Sequence, residues 1–337
     1  MQHSNVLRYT VIARRIACSG LVGSEKTAAR LLPCKSQLES GTESSVFLMT
    51  SDQGPVVQSA MLRSELVRLR RQNGLTQEQV AGELEWSPSK LIRIEGGRSA
   101  ITKVDLDALL TRYQVSSEED RERLQALNRG ARERGWWDKY QENIAEFYVR
   151  YVGFEAGASF IRQFESAFVP ALLQTAEYAE AVTAGVDRSQ VASHVGLRLQ
   201  RQAELARRSN KPHQYYVVDE AVIHRHVGIS TDPAIMADQL RSLADRVETD
   251  DLVTVRVIPF TVGVHRGFAG TFTLLEFDGG LPDLLYVDPG RGALGNIVSG
   301  DDPLVAECRD DFEACIEVSL SEARSIELIR SVADGMP

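Results

Sequence analysis

The sequence has only four cysteines in 337 residues, Cys18, Cys34, Cys308 and Cys315. They are too scattered for a disulfide framework, and no CxxC pair points to zinc. Long apolar runs are missing as well. Charges such as Arg150, Glu155 and Arg162 interrupt every stretch that approaches the about 18 apolar residues a membrane helix needs, so no membrane association is expected. Arg14-Arg15 has no apolar segment of export-signal length beside it. A soluble, cytoplasmic protein is therefore expected. Basic charge is not in excess either: the formal net charge is -9. That excludes a chain coated along its length by nucleic acid, because phosphate affinity comes from clustered Lys and Arg. Catalytic equipment is also lacking, with no phosphate-cradling glycine loop and no nucleophile beside a base. No enzymatic activity, cofactor or metal is expected.

The length suits two domains, and the charge is unevenly spread. Between Met61 and Tyr113 nine basic residues (Arg63, Arg68, Arg70, Arg71, Lys90, Arg93, Arg98, Lys103, Arg112) face seven acidic ones (Glu65, Glu78, Glu83, Glu85, Glu95, Asp105, Asp107), a local basic excess in an acidic chain. Residues 1–60 show no sustained periodicity and carry polar clusters such as Ser40-Gly41-Thr42-Glu43-Ser44-Ser45. They are expected to be a disordered leader, within which Met49 is an alternative start, as is Met61 just after it.

From Leu62 the pattern becomes one of short amphipathic helices. Leu62, Leu66 and Leu69 form a stripe that Asn73-Gly74 ends. Thr76 with Gln79 three residues on has the spacing of a capping box, and opens a second helix that buries Val80, Ala81 and Leu84. Ser87 as N-cap with Pro88 after it opens a third, because the N–H that proline lacks has no partner at that position anyway. This third helix is expected to carry Leu91, Ile92 and Ile94 inward and to stop at Gly96-Gly97. A fourth runs from about Thr102 to Tyr113 with Val104, Leu106, Leu109 and Leu110, and the charge-rich stretch 115–135 is expected to be a linker helix. On a 3.6 period from Ser87, Ser89, Lys90 and Arg93 project away from Leu91 and Ile94, which makes them candidates for contacts to base edges. Arg93 is the strongest of them, since a guanidinium pairs bidentately with guanine.

The segment Leu75 to Arg98, with its Thr-Gln start, its small Ala81 and its closing Ile-Glu-Gly-Gly-Arg, resembles the XRE or phage-repressor class of helix-turn-helix. The resemblance implies a lambda-repressor-like helical bundle over residues 61–114. It further implies that Gln77 and Ser87 anchor phosphates with Arg98 adding charge, and that Arg70 and Glu95 form a structural ion pair. Double-stranded DNA would then be the partner.

Residues 136–334 mix helical patterns, at about 139–167, 175–184, 188–208, 233–248, 303–318 and 321–333, with four strand-like runs. Those runs are Gln214–Val218, Val253–Ile258, Gly270–Phe277 and Leu284–Val287. The expected fold is mainly α, with an α+β C-terminal domain. Within it, Phe164 to Ala179 resembles the "vPGLLQT-x-eYA" signature of a large actinobacterial group that includes WhiJ-like developmental regulators, with Ala171 in place of the usual glycine. That resemblance implies a transcriptional regulator whose C-terminal domain dimerises and binds an effector or a partner, and a small acidic partner protein encoded nearby. It equally allows an antitoxin-like interaction protein in which DNA binding is secondary or lost. A homodimer on an inverted-repeat operator follows from the first reading. Elsewhere His213, His224 and His226 are few for a metal site, Asp219-Glu220 reads as a solvated strand end, and Trp136, Trp137, Tyr140, Phe147, Tyr148 and Tyr151 read as packing between domains.

Overall fold

The capping chemistry of residues 73–103 organises the N-terminal bundle. The computed structural model describes residues 53–186, 190–287, 296–300 and 302–337, all within one unit of the chain, residues 44–337. Helix α1 (Gly54–Gln72) ends at Asn73. Helix α2 (Gln77–Glu83) opens with the full capping box: Gln79 N–H donates to Thr76 Oγ1 at 3.2 Å, and Thr76 N–H donates to Gln79 Oε1 at 2.8 Å. Helix α3 (Pro88–Glu95) follows Ser87, whose side chain makes no capping hydrogen bond. Thr102 caps α4 (Lys103–Arg112), and Ser117 caps α5 (Glu118–Gly130).

Helix α1 starts six residues before the expected end of the leader, while residues 1–52 lie outside the described chain. Its extra turns are held by tertiary packing. Val57 is fully buried, and a methyl group added at Gly157 would lie 2.6 Å from it and 2.1 Å from the Gln53 carbonyl oxygen, so the two segments approach as closely as glycine allows. The charge-rich α5, expected as a linker, buries Leu124 and Leu127 in the same core as α1.

The C-terminal part is built on a six-stranded sheet of order β3-β2-β1-β4-β5-β6. Strands β1 (Phe160–Glu165), β2 (His213–Asp219) and β3 (Val253–Ile258) run parallel to one another. Strand β4 (Phe272–Glu276) runs antiparallel to β1, β5 (Leu284–Val287) antiparallel to β4, and β6 (Asn296–Ser299) antiparallel to β5. The helices are α6 (Glu146–Glu155), α7 (Ala176–Val186), α8 (Val191–Arg207), α9 (Glu220–His224), α10 (Ala234–Thr249), α11 (Pro303–Val318) and α12 (Glu322–Asp334). The fold is thus mostly helical, with an N-terminal helical region and a mixed sheet with helices behind it.

Alternation along the strands sorts side chains onto two faces. Tyr216, Val218, Val253, Val255 and Leu275 join the large core that also contains the helices of the N-terminal bundle. Phe164, Tyr215, Val217, Phe272 and Leu274 face the other way, onto Val305, Cys308, Phe312 and Cys315 of α11. Both cysteines are free and buried, and burial pushes each thiol up to about 11. The edge strand β3 is covered rather than left open: Leu320 N–H donates to the Val257 carbonyl at 2.8 Å, and Val257 N–H donates to Ser325 Oγ at 3.0 Å.

Two strands escape the sequence pattern. Residues 139–167 were expected to be helical throughout, yet β1 occupies 160–165 as a central strand. Its Arg162 looks like a solvated helix position, but it is buried and paired with Glu276 at 2.8 Å. Short β6 pairs, among the described residues, with β5 alone and has no apolar run of its own.

Candidate nucleic-acid interface

Helices α2 and α3 are joined by a tight turn in which Glu85 adopts φ 56°, a left-handed conformation unusual for a side-chain-bearing residue. Ala81, with no exposure, sits where the two helices meet, and Trp86 N–H donates to its carbonyl at 2.8 Å. Leu91 and Ile94 anchor α3 in the core. The exposed surface of α3 is therefore set by what those two residues leave outside.

The whole motif is braced from within. Arg70 donates from Nε to Glu95 Oε1 at 2.7 Å and from Nη2 to Oε2 at 2.9 Å, and its Nη1 donates to the Leu75 carbonyl at 2.8 Å. Hydrogen bonding to Glu95 holds the Arg70 guanidinium above its ordinary basicity, against the opposing pull of burial. Gln77 joins the same group, donating from Nε2 to Glu95 Oε2 at 2.7 Å. Its amide is thereby turned toward the brace, while its backbone lies in the first turn of α2.

Ser87, Ser89, Arg93 and Arg98 are all exposed on or beside α3. Among the described residues no carboxylate forms an ion pair with Arg93 or Arg98. Lys90 behaves differently. Its Nζ lies 2.6 Å from Asp105 Oδ1 and 3.8 Å from the centre of the Trp86 ring, so the charge is drawn toward α4.

Two residues expected inside are outside: Ile92 is 43% exposed and Val104 76% exposed. On an eight-residue helix, Leu91 and Ile94 already fill the narrow buried stripe, and Ile92 falls one residue off it. Ile92 instead lines an open groove with Arg70, Arg71, Gln77 and Glu95. Arg71, in this groove, and Lys103, the first residue of α4, are both exposed and were not singled out by the sequence pattern. Their signal was available, as basic residues at the ends of the helices that border α3. Opposing them, Glu78, Glu83 and Glu85 are exposed along and after α2, with Glu83 bonded to Arg112.

The signature-like segment of the C-terminal part is a hydrogen-bonded lock. Gln174 Nε2 donates to the Val169 carbonyl at 2.6 Å, and Gln239 Nε2 donates to the Leu173 carbonyl at 2.8 Å. Gln239 Oε1 accepts from Thr175 N–H at 2.7 Å, and Arg198 donates to Gln174 Oε1 at 2.7 Å. Side-chain amides thus satisfy the backbone of an irregular buried turn, which is the chemistry such a turn requires.

Nearby, Asp219 is more than a solvated strand end: it caps α9 through Ala221 N–H and lies 3.0 Å from Nε2 of the nearly buried His265. His213 stacks on Phe160, while His224 lies 3.2 Å from Glu220. Among the described residues no group of three or more His, Cys, Asp or Glu is placed to hold a metal, and no helix is long and apolar enough to cross a membrane. Trp137, only 4% exposed, meets Trp136 edge to face at 5.4 Å, and Tyr151 stacks on Tyr286 at 4.2 Å.

Comparison with family models gives two matches. Residues 62–124 match a helix-turn-helix domain, and residues 148–331 match a domain of unknown function, DUF5753. Neither the curated proteins nor the solved structures contain a match.

Proposed function

From the premise that the chain belongs to the DUF5753 family and carries a helix-turn-helix domain ahead of that domain, we propose that it is a sequence-specific transcriptional regulator of the XRE type, of the WhiJ-like kind. It binds double-stranded DNA through α3 in the cytoplasm. Residues 61–114 are the DNA-binding domain, residues 115–135 connect it, and residues 136–334 form a regulatory and dimerisation domain that binds a small effector or an acidic partner protein.

One observation carries this reading. Ser89 and Arg93 project from α3 into solvent, between exposed Ser87 and Arg98, while Leu91 and Ile94 fix the helix from behind. A helix held on one face and free on the other fits the major groove, with side chains of the free face reading base edges. A two-fold homodimer would space its α3 helices by about 34 Å and select an inverted repeat.

Selection of bound fragments from random duplex DNA, followed by footprinting, tests the reading. An inverted repeat bound in a salt-dependent manner is the expected result. Random fragments without a common sequence, or no retention at low salt, would refute it.

A second reading has a specific observation in its favour. Exposed Glu78, Glu83 and Glu85 border the motif, and the amine of Lys90 and the amide of Gln77 are engaged internally. An antitoxin-like protein that sequesters a partner, with DNA binding secondary or lost, would tolerate those features. Copurification of a partner without any DNA retention would favour it.

A further inference from the structure

A cleft of about 580 Å³ opens where α1, the end of α3 and α6 come together, a volume within the range of small-molecule sites. Trp137, Val56 and Val149 give it apolar walls, and Arg63 and Arg150 give it positive charge. Arg63 donates from Nη1 to Ser59 Oγ at 2.6 Å. Among the described residues no carboxylate pairs with either arginine. Glu133 and Glu146 line the same cleft and are exposed, as is Arg150, and the half-buried Asp138 forms no ion pair with Arg63 or Arg150.

Burial, together with the like charge of Arg150, lowers the basicity of Arg63 to about 10. A largely buried cation with no carboxylate paired to it and the like charge of Arg150 acting on it is unfavourable unless a counter-ion joins it. Guanidinium groups are matched in shape and charge to phosphate and carboxylate.

We propose that this cleft holds a small organic anion, a phosphate- or carboxylate-bearing molecule with a flat apolar body, gripped by Arg63 and Arg150 and packed against Trp137. The cleft also reaches the motif. A methyl group added at Gly97 would lie 2.7 Å from the Arg63 guanidinium carbon, and Gly97, at φ 70°, follows the C-cap residue Gly96 of α3. A ligand that draws on Arg63 therefore acts at the end of the helix assigned to DNA. This coupling rests on the DNA-binding reading, whereas the ligand site does not.

Tryptophan fluorescence of the full-length protein in phosphate-free, low-salt buffer tests the site, with phenyl phosphate, benzoate, phenol and tetramethylammonium as probes. The expected result is a saturable change with phenyl phosphate or benzoate at concentrations at least about tenfold below any effect of phenol. Arg63→Met should weaken that binding about tenfold or more, and Arg241→Ala, on a distant surface, should not. In the absence of anion, Arg63→Met should also melt above the wild type, because the packing volume stays and the uncompensated charge goes. Phenyl phosphate should then raise the melting temperature of the wild type alone.

No saturable change with either anion, unchanged affinity in Arg63→Met, or tetramethylammonium binding in place of the anions would overturn the proposal. DNA retention is measured on the same preparations. Anion binding without DNA retention would remove the regulator reading and leave the ligand site standing, while DNA retention without anion binding would do the reverse.

Discussion

Arg70 and Glu95 are joined by two hydrogen bonds, at 2.7 and 2.9 Å, with their side chains only 11% and 5% exposed. The pair ties the helix that precedes the motif to the last turn of α3. Its carboxylate also receives Gln77, so one acidic side chain positions three elements. Whatever α3 does, its orientation depends on this brace.

Removing one member leaves the other charged and largely buried. Arg70→Met or Glu95→Gln should each cost about 3 kcal/mol of unfolding free energy, more than an exposed ion pair would. Urea denaturation checks the figure. A loss below about 0.5 kcal/mol would mean that the brace is dispensable.

Arg93 and Lys90 lie on the same helix with different surroundings, and their variants should differ accordingly. Arg93→Ala should lower affinity for the selected operator by about 1 to 3 kcal/mol and relax one base position. Lys90→Ala should cost less, because Asp105 and Trp86 already hold the amine. Equal losses in a quantitative binding titration would show that Lys90 leaves Asp105 on meeting DNA.

Glu85 holds a left-handed conformation at φ 56°. Glycine adopts that region without steric penalty, though it adds freedom to the unfolded chain. Glu85→Gly should therefore stabilise the fold by up to about 1 kcal/mol, read as a higher melting temperature. A drop in melting temperature would contradict this account of the turn.

Glu155 and Arg201 form a pair 2.5 Å apart, 2% and 3% exposed, with Tyr151 donating to Glu155 at 2.7 Å and Arg201 donating to Tyr148 at 2.6 Å. Glu155→Gln alone should cost about 3 to 5 kcal/mol, because it strands a guanidinium in the core. The double variant Glu155→Leu with Arg201→Met should be milder than Glu155→Gln alone. Calorimetry of the three proteins settles the order.

Glu276 provides a pH test. Burial pushes its carboxyl up, but hydrogen bonds from Arg162 and Arg309, each at 2.8 Å, win and hold it below the ordinary value of 4.5. A lowered folded-state pKa contributes stability that is complete above the ordinary value and disappears as pH falls through the folded one. Wild type should therefore lose stability more steeply than Glu276→Gln as pH drops below 4.5. Parallel curves from chemical denaturation across that window would exclude the effect.

Local chemistry along the chain sets the architecture of the motif. The Thr76 and Gln79 box, the Ser87-Pro88 start and the Gly96-Gly97 stop act within three or four residues, where backbone hydrogen bonding and capping need no distant partner. Apolar, β-branched runs likewise marked β2 to β5, since strands buried on both faces must be apolar along their length. Tertiary structure decided which polar groups are free. Lys90 is taken by Asp105, 15 residues away, Gln77 by Glu95, 18 away, and Arg162 in the unrecognised strand β1 by Glu276, 114 away. The early start of α1 has the same origin, in a glycine about a hundred positions downstream that admits Val57. A charged side chain reads as solvated until the fold brings its counter-charge within hydrogen-bonding distance. Such pairing depends on the path of the whole chain, and no spacing within one helix encodes it.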